Sequence, residues 1–214
     1  TDHHVLGKSR PSALALVNPK TIPTPSQMYS LSGSVVAFKF ALALFDALNK
    51  EIPAELFQFI TAISTLGMIS DRMSLLEPMN RAITIAGVEA INNTNWAGLR
   101  ALLDICCQKN TKVKSRDLSR SIVPRLNAPG RIGNPEEGIP DSNTAVELLL
   151  LKDANQHSKL ARQLAEQVID LKNVMANDAR SRAGEVNDIN EKRKLITSQI
   201  EDELEDLIKD QVDI

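Results

Sequence analysis

Apolar residues recur at helical spacing over 31–108 and again over 143–214, with a segment broken by prolines and glycines between them. In 31–50, Val36, Phe40, Leu44 and Leu48 repeat every four residues, with Ala37, Ala41 and Phe45 beside them. That spacing predicts a buried helix, which Ser32 or Ser34 can cap. Pro53 opens a second helix from a first-turn position, where its missing donor costs nothing. Leu56, Phe57, Ile60, Ile63 and Leu66 mark its inner face, and Gly67 can end it. Residues 68–77 read as a short helical link. Pro78 starts a third helix with Ile83, Ile85, Val88 and Ile91 inward. Asn92-Asn93-Thr94-Asn95 is a turn, with Asn95 as the cap of a fourth helix over 96–108. That helix would bury Trp96, Leu99, Leu102, Leu103 and Cys106.

The last third, 143–214, contains no proline and one glycine, Gly184. Thr144 followed by Glu147 predicts a capping box at its start. As one helix it would be ~108 Å long at 1.5 Å per residue. Its apolar positions are Leu160, Leu164, Val168, Leu171 and Met175, then Val186, Ile189, Ile196, Ile200, Leu204 and Leu207. The steps from 164 to 175 alternate four and three, as in a coiled-coil seam. Arg193 also falls in a seam position, and 148–151 is apolar on all sides. Between the two apolar runs, 177–185 is polar. A straight helix and an antiparallel hairpin both fit, and the lack of proline or Asn-Gly favours the straight one. These residues are the expected oligomerisation surface.

Two segments resist a helical reading. Residues 1–30 hold Pro11, Pro19, Pro23 and Pro25, which predict an extended arm. Ser12 to Val17 would form at most one apolar turn or a short strand. Residues 109–131 carry Lys109, Lys112, Lys114, Arg116, Arg120, Arg125 and Arg131 against one acid, Asp117, with one short helix over 116–123. Prolines and glycines then break the chain up to 142, and Ala128-Pro129-Gly130-Arg131-Ile132-Gly133 reads as a loop. The expected organisation is an extended arm (1–30), a helical body (31–109), a basic linker (110–142) and a long C-terminal helix (143–214). The predicted fold class is all-α: a compact bundle with an extended arm and a long amphipathic, coiled-coil-like helix or hairpin.

Composition sharpens this picture. Hydrophobic residues make up 43% of the 214, enough for a core, and aromatics only 3%, none after Trp96. Residues 1–142 hold 15 Lys+Arg and 12 Asp+Glu, a balance of +3; residues 143–214 hold 10 and 15, a balance of −5. Glu201 to Asp213 contains seven acids and one lysine, which oppose a helix C-terminus or meet a basic surface. The most apolar run, 34–48, is interrupted by Lys39 and Asp46 and is too short to span a bilayer. The N-terminus lacks the apolar core of a signal peptide, and the initial Thr suggests a processed or trimmed product. The expected setting is the cytoplasm or a viral particle.

Candidate chemistry is sparse. Cys106 and Cys107 are adjacent, which disfavours a mutual disulfide and suggests buried thiols on a helix. His3 and His4 read as a terminal segment, able with the terminal amine to chelate a stray copper or nickel ion. His157 reads as part of a solvated helix face. The phosphate-binding, metalloprotease and nucleophile-elbow patterns are missing, so no catalytic residue, metal site, cofactor or small-molecule substrate is expected. The favoured expectation is a non-enzymatic structural subunit that self-assembles with itself or with other assembly subunits, as in a virion. The alternative is a nucleocapsid-type protein coating RNA through the seven cations of 109–131, by phosphate contacts alone because no aromatic is available to stack on bases.

Overall fold

The structure, a computed structural model, describes residues 1–8, 11–22, 26, 28–107 and 111–184. Lys109 and the expected seam positions Val186, Ile189, Ile196, Ile200, Leu204 and Leu207 lie outside these. The chain divides into two units, residues 1–171 and 172–214, and of the second only the continuation of one helix to Gly184 is described. Regular structure among the described residues is helical, apart from one antiparallel bridge between Asn134 and Ile139. The all-α expectation therefore holds at that level. No helix of the described residues is long and apolar enough to cross a membrane.

Helix α1 spans Gly33–Ala47, with Ser32 Oγ accepting from Val35 N at its start. Only Val35 and Val36 are buried along it; Phe40, Leu44 and Leu48 are 46–55% exposed, against expectation. The reason is the side α1 turns to helix α2, Ala54–Ser70. The crossing is made by small and polar groups, with Ser34 Oγ donating to Ser64 O at 3.0 Å and a Cβ at Gly67 falling 2.5 Å from Ser34 Oγ. Gly67 thus serves close helix approach and does not end α2.

Helix α3, Pro78–Asn92, packs on α2 in the same way. Thr65 Oγ1 donates to Ile83 O at 3.1 Å, and a Cβ at Gly87 would overlap the Thr65 side chain. The buried face is Asn80, Ile83, Thr84, Gly87, Ala90 and Ile91. Ile85, expected inward, is 65% exposed because it lies beside that stripe. Helix α4, Ala97–Cys106, is capped at Trp96 and not at Asn95; Trp96 N instead donates to Thr94 Oγ1 at 3.2 Å.

The expected linker is largely helical and built into the core. It contains α5 (Ser115–Asp117), a π-turn (Leu118–Ile122), α6 (Val123–Asn127) and α7 (Pro129–Ile132). Leu118, Ile122, Val123, Ala128 and Pro129 are buried, and Asn92 is tied to Val113 by reciprocal hydrogen bonds of 2.8 and 2.9 Å. The 128–133 segment read as a loop includes all of α7.

The expected long helix is broken early. Helix α8 is Ser142–Leu150, capped by Asp141 and not by a Thr144 box, and α9 is Ala154–Gly184. The break needs neither proline nor glycine. Ala97 N donates to Lys152 O at 3.2 Å and Gly98 N to Leu151 O at 3.1 Å, so the first turn of α4 takes up carbonyls from the break. Orphan donors at a helix start and free carbonyls between helices satisfy one another.

The main core joins Ala62 and Leu66 of α2, Leu99, Leu102 and Leu103 of α4, Leu118 and Ile122, Leu148 of α8, and Ala161, Leu164, Ala165 and Val168 of α9. A second cluster, Leu31, Val35, Val36, Met68 and Ile83, lies under the start of α1. Seam residues Leu164 and Val168 are therefore interior residues of this chain, and Leu171 is also buried. Alanines at 161 and 165 let α9 approach that core, so the stripe serves intrachain packing there. Leu160 is 37% exposed and Met175 half-buried.

Candidate metal centre

The first residues are held in place by a buried side chain. Asn18 is 4% exposed, and its Nδ2 donates to His4 O at 3.0 Å. Its Oδ1 accepts from Lys20 N, capping a 3-10 turn over Pro19–Thr21. Asp2 N donates to Val17 O at 3.0 Å. These bonds fix the backbone of Asp2, His3 and His4 against 17–18. The start of the expected extended arm is therefore tied down among the residues that follow it.

This anchoring presents His3 to the end of α2. His3 Nε2 lies 3.7 Å from Asp71 Oδ2, with the side chains 21% and 39% exposed. Asp71 is the C-cap of α2, and its N–H is held by Gly67 O at 3.0 Å. Arg72 follows in the left-handed region at φ +53°, which a non-glycine residue adopts at a cost. The His3 ring also rests on Gly33, where a Cβ would stand 3.2 Å from Cδ2.

His4 and Asp2 form a second pair, Nδ1 to Oδ1, at 2.7 Å. The His4 ring hydrogen bond, and then the His3 backbone N–H, bring the Asp2 carboxyl down to about 2. Asn80 supports the turn that follows Asp71. It is fully buried, and its Nδ2 donates to Ser30 O at 3.0 Å and Ser74 O at 3.1 Å. It thereby joins the approach to α1 with the turn after Asp71.

An imidazole nitrogen and a carboxylate oxygen are suitable donors for a divalent transition ion. At metal–ligand distances of about 2.1 Å, two ligands of one ion lie at most about 4.2 Å apart. The 3.7 Å separation falls within that limit, so His3 and Asp71 fit one cation between them. Among the described residues no group of three His, Cys, Asp or Glu side chains is gathered to hold an ion. The pair supplies two donors.

The expected nucleic-acid contacts are distributed along 112–131. Lys112, Lys114 and Arg116 are exposed around one cavity that also receives Cys106 and Cys107. Arg120 and Arg131 are exposed, while Arg125 is half-buried with Nη1 bonded to Ser121 O. Asn127 Nδ2 donates to Ser70 Oγ at 2.9 Å, docking α6 beside Asp71. His157 has a buried Nδ1 without a hydrogen-bond partner, so its ring is not wholly on a solvated face. Sequence reasoning missed Asp71 entirely and set His3 aside. The available signal was three consecutive ligand-type residues, Asp2, His3 and His4.

No family model matches the chain. Curated relatives match 77% of it, at 33% identity over 164 residues in Bacillus subtilis and 33% over 176 residues in Escherichia coli. The matched relatives are RecJ exonucleases. Both are described as single-stranded-DNA-specific, and the chain spans only 19% and 28% of their lengths. A crystal structure of exonuclease RecJ bound to manganese superposes with a TM-score of 0.70 at 26% identity, covering 87% of this chain and 43% of that one. RecJ from Thermus thermophilus in complex with Mn2+ gives 0.71 at 26% identity, covering 86% and 25%.

These likenesses overturn several expectations. The structural neighbours are nucleases, not coiled-coil assemblies. The similarity to RecJ contradicts the non-enzymatic reading, the virion subunit and the RNA-coating nucleocapsid alternative. It also contradicts a partner set of assembly subunits, since these relatives act on single-stranded DNA. One source of the error is visible in the fold: Leu164 and Val168, part of the stripe that suggested assembly, belong to the chain's own core.

Proposed function

We propose that this chain carries part of the active site of a metal-dependent nuclease that hydrolyses phosphodiester bonds in single-stranded DNA. The observation that carries the reading is the His3–Asp71 pair, 3.7 Å apart in a chain that is similar to RecJ over 77% of its length. His3 Nε2 and the Asp71 carboxylate would hold a divalent cation of the manganese type, the ion bound in the similar RecJ crystal structures. Such a cation polarises a phosphoryl oxygen and acidifies bound water when present. The chain's own residues would fix the geometry. Asn18 holds the backbone at His4, Gly33 gives the His3 ring its space, and Asn80 braces the turn after Asp71.

Manganese binding, followed by electron paramagnetic resonance, tests this directly. His3→Ala and Asp71→Asn should each weaken Mn2+ binding by at least about tenfold, since losing even an outer-shell partner costs 10–100-fold. Helical circular dichroism should be unchanged, because both side chains are partly exposed. A binding isotherm that neither substitution moves would remove these residues from the metal site. In the complete nuclease, the same substitutions should abolish Mn2+-dependent release of nucleotides from single-stranded DNA.

A further inference from the structure

The metal pair leaves unused a cavity of about 350 Å3, formed where α4 ends and 111–121 begins. Its walls include Cys106, Cys107, Lys112, Lys114, Arg116 and Ser121. Neighbouring residues of an α-helix point about 100° apart. Both thiols reach one cavity because Cys106 is the last residue of α4 and Cys107, at φ −116° and ψ 156°, has left the helix.

Three cations meet one acid there, Asp117. Its carboxylate already accepts from Lys114 N at 2.9 Å, closing the start of α5. Arg125 stands behind the wall with Nη1 on Ser121 O, its buried Nε without a partner. Burial pushes both thiols above the usual thiol value despite Arg125, so they stay neutral at ordinary pH and do not offset the excess of three cations over one acid. The adjoining π-turn, Leu118–Ile122, is a departure often found at functional sites. No aromatic lines the cavity, so it offers phosphate contacts without base stacking. From Ser121 to Asn127, which is bonded beside Asp71, the helical rise is roughly 9 Å. An extended strand crosses that span in a few nucleotides.

We propose that this cavity is a phosphodiester-binding subsite that holds single-stranded DNA away from the His3–Asp71 pair. The substrate class rests on the nuclease reading; the cavity's preference for a phosphate anion does not. The two thiols are built-in reporters, and labelling with N-ethylmaleimide in EDTA, with and without an oligodeoxythymidine, reads occupancy without cleavage. Labelling of Cys106 and Cys107 should slow about tenfold when the oligonucleotide is present at ten times its Kd. Replacing Lys112, Lys114 and Arg116 together with Ala should remove about 2 from the log–log salt slope of oligonucleotide binding, at ~0.7 per phosphate contact. The same change at Lys50, Arg100 and Lys159 should leave the slope alone. Unchanged labelling with oligonucleotide, protection by inorganic phosphate but not by oligonucleotide, or an equal slope loss in the control triple would each overturn the subsite. Because the labelling needs no metal, a chain that fails to bind Mn2+ can still show protection, so the two proposals fail separately.

Discussion

At the scale of single residues, the chain shows how little space some positions allow. Gly98 is the sharpest case. A Cβ there would overlap the backbone carbonyl of Leu148, an atom no rotamer can move aside. The same residue donates its N–H to Leu151 O. Gly98→Ala should therefore force α4 and α8 apart and cost about 3 kcal/mol, at the upper end for overpacking a core. The expected result is a lower urea midpoint at an unchanged m-value, which marks lost stability without a change in the exposed surface. Wild-type stability in this variant would mean that α4 and α8 do not approach as closely as described. His3 and Asp71 illustrate a different limit. They lie 68 residues apart, from 71 − 3, and neither has a neighbour in sequence that signals the other. Only the anchoring by Asn18 and the end of α2 bring them together, so no spacing rule could reveal the pair.

At the scale of elements, four helices between 33 and 106 were legible because each carries its own period, and two also carry a start signal that the structure uses. Pro78 opens α3 and Ser32 caps α1, and both act locally. The faces were less legible than the helices. Phe40, Leu44 and Leu48 have the right spacing for burial, yet α1 meets α2 through Ser34, Phe38 and Gly67. The break at 151–153 was not legible at all. Its sequence, Leu-Lys-Asp, is compatible with helix, and the chain departs from helix because α4 takes the carbonyls of Leu151 and Lys152. Around that junction Trp96 stacks on Phe59 at 3.5 Å between ring centroids, and Lys152 pairs with Glu55 at 2.9 Å. The stack contributes roughly 0.5–1.5 kcal/mol beyond its area, and the exposed ion pair less. Helix α8 allows a paired test of which face is inside. Leu148 is fully buried, and Leu150 is 63% exposed. Leu148→Ala should cost about 2–5 kcal/mol, whereas Leu150→Ala should stay within about 0.5 kcal/mol. Equal losses in chemical denaturation would show that the face turned to the core is misassigned.

At the scale of the whole molecule, the question is what covers the apolar stripe of α9. Its heptad-like spacing reads identically whether the partner is another subunit or the same chain, because a helix buries its stripe against whatever fits. The deciding feature is the pair of alanines, Ala161 and Ala165, fully buried beside Leu164 and Val168. Small residues of this kind let a helix settle onto its own globular core, and these four buried positions within two turns turn that part of the stripe inward. The consequence is thermodynamic. A seam between subunits is stabilised by mass action, so its melting temperature rises with protein concentration. A seam within one chain is not. Val168→Ala removes two methyl groups from a fully buried side chain and should cost on the order of 1–3 kcal/mol by lost transfer energy and a small cavity. That loss should be the same at every protein concentration, and wild-type melting should likewise be independent of concentration. A midpoint that climbs with concentration in the wild type and loses that dependence in Val168→Ala would put the stripe of α9 between chains, and with it restore an assembly role for this helix.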